Sequence, residues 1–170
     1  FEPRVLQTVT IRVPISFALL VLVPALPDLA KALPWIRLDL VTIHRPTDYD
    51  EAGSTLDIRF GNGSFSGRDA DRLTVEWFAA SGLAGHSQRS HRFDSFVAAM
   101  EAAKSGAGAL LGSRPLIEAA LKDNLLVRLS DFELSSPSGH FLTWPSSSRL
   151  SGAEQDFRRW LLSRLASISA

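Results

Sequence analysis

The chain has 170 residues, enough for one ordinary domain or two small lobes, since single domains usually run to about 100–200 residues. Apolar residues make up 45% and charged residues 21%, a balance that excludes disordered, fibrous and membrane-embedded classes. The 18 basic residues match 18 acidic ones, which removes the basic footprint that duplex binding needs, while the absence of cysteine removes disulfides, thiolate metal sites and Cys nucleophiles and fits a cytoplasmic setting.

The start, Phe1-Glu2-Pro3-Arg4, has no initiator Met, so the sequence is expected to be a fragment of something longer. Val9, Ile11 and Val13 alternate with Thr8, Thr10 and Arg12, the period-two signature of a strand over Thr8 to Val13. Val13 to Pro27 carries no charge, but a membrane span needs about 20 apolar residues and Pro14, Pro24 and Pro27 interrupt this stretch. It reads as a kinked, buried helix from Phe17 to Leu33, with Ser16 offering an N-cap oxygen.

Ile36, Leu38 and Leu40 give a second strand, and Leu56, Ile58 and Phe60, alternating with Asp57 and Arg59, a third. Gly61 to Gly67 is a turn, followed by a strand from Leu73 to Ala79. Ala80 to Arg92 is short, polar and patternless, and reads as a loop. Phe96 to Lys104 is a short helix that Ser95 or Asp94 is placed to cap.

Beyond the Gly106-Ala107-Gly108 turn, Ala109 to Leu111 reads as a strand and Leu116 to Lys122 as a helix headed by Pro115. Leu125 to Leu129 and Phe141 to Trp144 read as strands. The last element is a helix: Ser151 and Glu154 have capping-box spacing, and Ala153, Phe157, Trp160, Leu161 and Leu165 form one apolar stripe. Strands alternating with helices imply a largely parallel α/β architecture.

Catalytic chemistry finds little support. His44, His86, His91 and His140 are scattered without metal-ligand spacing, so neither a catalytic nor a metal site is expected, and no cofactor. Gly63-Ser64-Phe65-Ser66-Gly67 has Phe65 where a nucleophile elbow needs Ser, and the glycines lack the following helix that a dinucleotide loop requires. Ser16 is more informative, because a hydroxyl at a helix start either caps the helix or orients an anionic ligand; Ser95 poses the same choice. Arg59 is either solvent-facing or a strand-end ligand contact.

Four stretches together resemble the effector-binding domain of LysR-type transcriptional regulators, in the branch of the glycine-cleavage and β-lactamase activators. They are Val13-Pro14-Ile15-Ser16-Phe17-Ala18 with Leu22-Val23-Pro24-Ala25-Leu26, Leu56-Asp57-Ile58-Arg59-Phe60-Gly61-Asn62-Gly63, Phe93-Asp94-Ser95 with Met100-Glu101-Ala102-Ala103, and Asp156-Phe157-Arg158-Arg159-Trp160-Leu161-Leu162. The second departs from the family strand at Phe60, where a Tyr is usual. The chain is also shorter than is usual for this domain, and the shortfall is expected between Phe78 and Phe93, with breaks suspected near Ala80 and between Ser90 and His91.

The resemblance implies a two-lobed, type-2 periplasmic-binding-protein-like fold, two Rossmann-like lobes joined by crossing strands. Lobe I would be residues 8–71 and 131–170, lobe II residues 72–130. A winged helix-turn-helix DNA-binding domain would lie outside this chain. A small-molecule effector would sit between the lobes, with Ser16 and Phe17 on one wall, Ser95 and Phe96 on the other, Phe60 and Gly61 at the floor beside Arg59, and Phe141 nearby. The implied partners are a second copy, as homodimer or tetramer, and promoter DNA reached only through the absent domain, with no membrane. A periplasmic solute-binding protein of the same fold is the alternative, and a small α/β enzyme lacks a triad, metal cluster or cofactor loop.

Overall fold

The computed structural model describes residues 5–45, 48–49, 56–73, 77–78, 92–131 and 134–166. Its centre is a five-stranded sheet in the order β2-β1-β3-β7-β4, built from β1 (Gln7–Pro14), β2 (Ile36–Ile43), β3 (Leu56–Gly61), β4 (Arg68–Arg72) and β7 (Gly139–Pro145). A second, two-stranded sheet pairs β5 (Trp77–Phe78) with β6 (Leu134–Ser135). The helices are α1 (Ile15–Phe17), α2 (Val23–Ala32), α3 (Phe96–Lys104), α4 (Glu118–Lys122) and α5 (Gly152–Ala166), with a π-helical turn at Ala18–Leu22 joining the first two.

Strand β1 is the keel. Its residues Val9, Ile11 and Val13 are buried, as period two requires, and they pack with Leu56 and Ile58 of β3 and Leu142 of β7. Phe17, Ala18, Val21, Leu22 and Leu29 close one part of this face, and Ala153, Phe157, Leu161 and Leu165 of α5 another. The helix from Ile15 to Ala32 is long and apolar enough to cross a membrane by composition, yet its Phe17, Leu22 and Ala25 are buried in this core.

The helix starts two residues earlier than Phe17, and its π turn has a cause in the sequence. Pro24 has no N–H to give to the carbonyl of Leu20, and its ring would crowd that carbonyl in an α register. The Val23 N–H accordingly bonds the carbonyl of Ala18, one residue further back than in an α-helix.

The sheet is mixed rather than largely parallel. β1 runs parallel to β2 and β3, whereas β7 is antiparallel to both β3 and β4. The polar stretch Arg68–Arg72, for which the sequence offers no element, is an edge strand whose charges have partners: Arg68 bonds Thr143 Oγ1 at 2.9 Å, Asp69 accepts from the Ser146 hydroxyl, and Asp71 pairs with Arg158 of α5. Residues 62–67 cross over β7 to reach it, laying Phe65 against the Phe141 ring. Gly63, at φ +94°, is pressed so closely on Phe141 that a Cβ there would meet the ring at 3.0 Å.

Two expected strands are not formed. Ala109–Leu111 and Leu125–Leu129 run as irregular chain, with Leu111 and Leu125 each 55% exposed and Leu129 79% exposed. A short apolar run becomes a strand only when a neighbour pairs with it, and neither does so among the described residues. Helix α3 matches its expected bounds, and α5 carries the reciprocal capping box, Ser151 N–H to Glu154 and Glu154 N–H to the Ser151 hydroxyl. In the expected strand Leu73 to Ala79, Leu73 is not in a strand and Trp77–Phe78 is; its other residues, most of the expected loop Ala80 to Arg92, and both suspected breaks lie outside the described residues.

Candidate functional site

After β1 the chain passes to β2 on one side, and after β2 it returns to β3 on the other side of β1. In an α/β sheet the carboxyl ends of two strands whose connections diverge leave a crevice, and ligands bind there. The carboxyl ends at this switch point are Pro14 of β1, followed by Ile15, Ser16 and Phe17 of α1, and Phe60 and Gly61 of β3. The start of β7 lies at the same edge, since Phe60 is in register with His140 and Gly61 with Gly139.

On one face of this edge three rings form a ladder from core to surface. Phe17 is wholly buried, His140 stands 4.8 Å from it, and Phe60 meets the other side of His140 edge-on at 5.3 Å while remaining 51% exposed. Burial pushes the His140 imidazole down to about 4, so it is neutral near pH 7. Sequence reading set His140 aside because no metal or triad spacing involves it. The signal that finds it is the alternation of β7 once the strand begins at Gly139: His140 then falls in line with Leu142 on the inward face.

The opposite face holds a charge cluster that sequence reading also missed. Asp57, fully buried, accepts from Arg12 Nε at 2.9 Å and from Arg59 Nη2 at 2.8 Å, and forms an ion pair with Arg68 Nη2 at 3.2 Å. Arg59 in turn lies 4.5 Å over the Tyr49 ring, and Tyr49 donates to the carbonyl of Ile58 at 2.5 Å. Burial first, and the Asp57 carboxylate second, push the Tyr49 hydroxyl well above its usual range. Burial likewise lowers the Arg68 guanidinium, with Asp57 opposing that shift. Arg59 is thereby committed to Asp57 by two hydrogen bonds and points away from the ring ladder.

The structure brings some of the expected site residues together and separates others. Ser16, Phe17, Phe60 and Gly61 share the switch-point edge. Phe141 alternates to the face opposite His140, buried beneath Gly63 and Phe65 with Arg72 stacked 4.9 Å over its ring. Phe17 contributes no exposed side-chain surface. Ser95 is the N-cap residue of α3, and Phe96 packs partly buried against the core cluster that contains Phe17.

Capping does not occupy either serine hydroxyl. The N-cap of α1 is Pro14, not Ser16, which sits inside the helix, and neither α1 nor α3 has a side-chain cap hydrogen bond. Both serines are half-buried. Among the described residues no group of three or more His, Cys, Asp or Glu could hold a metal ion.

The model of the LysR substrate binding domain matches residues 58–166. The HTH-type transcriptional activator AmpR of Rhodobacter capsulatus is 26% identical over 200 residues, covering 96% of this chain and 68% of that protein. AmpR of Pseudomonas aeruginosa is 29% identical over 183 residues, covering 85% of this chain and 62% of that protein, so the chain spans about two thirds of the length of these relatives. The solved effector domain of the Pseudomonas aeruginosa AmpR superimposes with a TM-score of 0.77 at 25% identity, covering 95% of this chain and 96% of that one. This chain belongs to the LysR substrate-binding domain family and has the periplasmic-binding-protein-like fold of LysR effector domains.

Proposed function

We propose that this chain senses a small-molecule effector for a LysR-type transcriptional regulator, and that the effector binds at the β1/β3 switch point. The observation that carries this reading is the switch-point edge itself, where an exposed Phe60 and the half-buried Gly61 and Ser16 stand at the carboxyl ends of β3 and β1 in a chain of this family. Ser95 and Phe96 would form the opposing wall. Phe17, Arg59 and Phe141 act on the site from behind, Phe17 through His140, Arg59 through the Asp57 cluster and Phe141 under the Gly63 crossing. The division into lobe I (8–71 and 131–170) and lobe II (72–130) belongs to the same proposal. Its support is that the large sheet draws its strands from residues 7–72 and 139–145.

In this mechanism the effector binds one relative arrangement of the lobes better than another and so shifts their populations. Contacts between copies then pass the change to the DNA-binding domain of the regulator. The relatives are transcriptional activators rather than solute carriers or enzymes, which disfavours the solute-binding alternative. Work in the cytoplasm, with no metal or cofactor, fits the same reading. With 18 basic and 18 acidic residues, the isolated chain is expected to bind no promoter duplex.

A thermal-shift screen of the chain against a metabolite panel tests the proposal. A hit should protect the amides of Ser16 and Gly61 from hydrogen exchange and change promoter binding by the full-length regulator. A hit that protects only amides far from the switch point would overturn it.

A further inference from the structure

The ring ladder says more about the ligand than its location. A single exposed phenylalanine is unremarkable on a protein surface. Phe60 differs because it stands at the switch-point edge, with its buried side already committed edge-on to His140. The residues on either side of it in β3 do not add charge to this face. Alternation sends Asp57 and Arg59 to the opposite face, where they bond each other and Arg12, while Ile58 lies with Phe60 and is fully buried. What this edge offers is therefore a flat apolar ring backed by a neutral imidazole. Gly61 follows at once, and the Phe65 ring lies 3.2 Å from where its Cβ would stand, so a side chain at this position would have to displace that ring.

We infer that the effector carries a planar apolar group, an aromatic or similarly unsaturated ring, which lies against the exposed side of Phe60, the side away from His140. This rests on the switch-point reading given above and names the ligand class for that site. Offset or edge-on ring contact is what a face of this kind selects, because the quadrupole of each ring favours those geometries over a contact with a saturated chain of the same volume. The hydroxyl of Ser16, left unused by capping, then serves a polar substituent of the same ligand.

The test uses the 170-residue chain, isotope-labelled for NMR, titrated with benzoate, cyclohexanecarboxylate and acetate as probes of ring, bulk and charge. Benzoate is expected to shift the His140 ring and Gly61 amide signals saturably, and more tightly than cyclohexanecarboxylate, with acetate the weakest. Phe60→Leu keeps apolar volume but removes the plane, and should weaken benzoate by about 3- to 10-fold, the range that aromatic pairs contribute. It should leave cyclohexanecarboxylate almost unchanged, and the melting temperature too, since Phe60 is half exposed. Equal responses to all three probes, no saturable response to benzoate, or indifference of benzoate to Phe60→Leu would each overturn the inference. Saturable shifts at Ser16 and Gly61 that ignore Phe60→Leu remove the ring contact and leave the switch-point site standing. A benzoate response confined to signals remote from both removes the two together.

Discussion

Arg12 of β1 and Asp57 of β3 stand opposite each other in the parallel register, Nε to Oδ1 at 2.9 Å, with the carboxylate fully buried. Arg59 and Arg68 converge on its other oxygen, so one anion holds three guanidiniums on the outer face of the central strands. The arrangement is asymmetric. Removing one arginine leaves Asp57 with two partners, whereas removing Asp57 leaves three cations facing each other out of bulk water.

Asp57→Ala is therefore expected to destabilise the chain by about 3–5 kcal/mol, the usual consequence of stranding buried charge. Arg12→Met should cost clearly less, because two guanidiniums remain on the carboxylate. Urea unfolding of both variants measures this. Equal losses would mean that Arg12 and Asp57 act as an isolated pair and that the other two arginines are incidental.

The buried His140 makes stability depend on acid. Its folded value lies near 4 against an ordinary 6.5, so the fold favours the neutral ring. At pH above 6.5 neither folded nor unfolded chain protonates it and its contribution is constant. As pH falls from 6.5 toward 4 the unfolded chain binds the proton first, and stability is lost by up to about 3 kcal/mol. His140→Gln should flatten that limb in denaturant titrations taken across the same window. Parallel slopes for the two proteins would show that other groups control acid unfolding.

The helix from Ile15 to Ala32 buries one side and leaves Leu19 46% and Val23 42% exposed on the other. Adjacent exposed apolar side chains on one helix face suit a contact with a second copy. We expect the chain to be a dimer in light scattering and Leu19→Glu to dissociate it with little change in melting temperature. The surface expected to meet this helix in the second copy is the helix expected over Leu116 to Lys122, observed as α4, so Ala119→Glu at its exposed position should do the same. A monomer at all concentrations would remove this surface from consideration.

Where the sequence carried its own period, the fold was legible. Val9, Ile11 and Val13 announce a strand, and Ala153, Phe157, Leu161 and Leu165 announce a helix, because each repeat is a local property that one buried face imposes. β4 was illegible for the opposite reason. Arg68-Asp69-Ala70-Asp71-Arg72 has no apolar repeat, and its place in the sheet depends on Thr143 and Arg158, 75 and 87 residues away. Leu125 to Leu129 failed in the reverse sense, having strand composition without a strand beside it. At the proposed site, the resemblance names Ser16, Phe60 and Gly61, which stand at the switch-point edge. His140 and Asp57 needed the register of β3 against β7 and β1, which no run of residues states.

The last expectation concerns Ser16 and Ser95, for which capping and ligand binding predict different measurements. A capping serine stabilises its helix, so its loss would lower stability by about 1 kcal/mol and leave the affinity of the folded protein alone. Neither hydroxyl makes that bond here: Pro14 occupies the N-cap of α1, and Ser95 occupies the N-cap of α3 without a side-chain hydrogen bond. Ser16→Ala and Ser95→Ala are therefore expected to shift the melting temperature little. If the hydroxyls instead serve the effector, each loss should weaken binding by about 1–2 kcal/mol when the group they meet is charged. The free N–H groups at the start of α3 would add to the preference for an anionic substituent there. Melting temperature and effector affinity, measured on the same two variants, separate the outcomes. A fall in stability with unchanged affinity returns the serines to capping, and no change in either would take both residues out of the site.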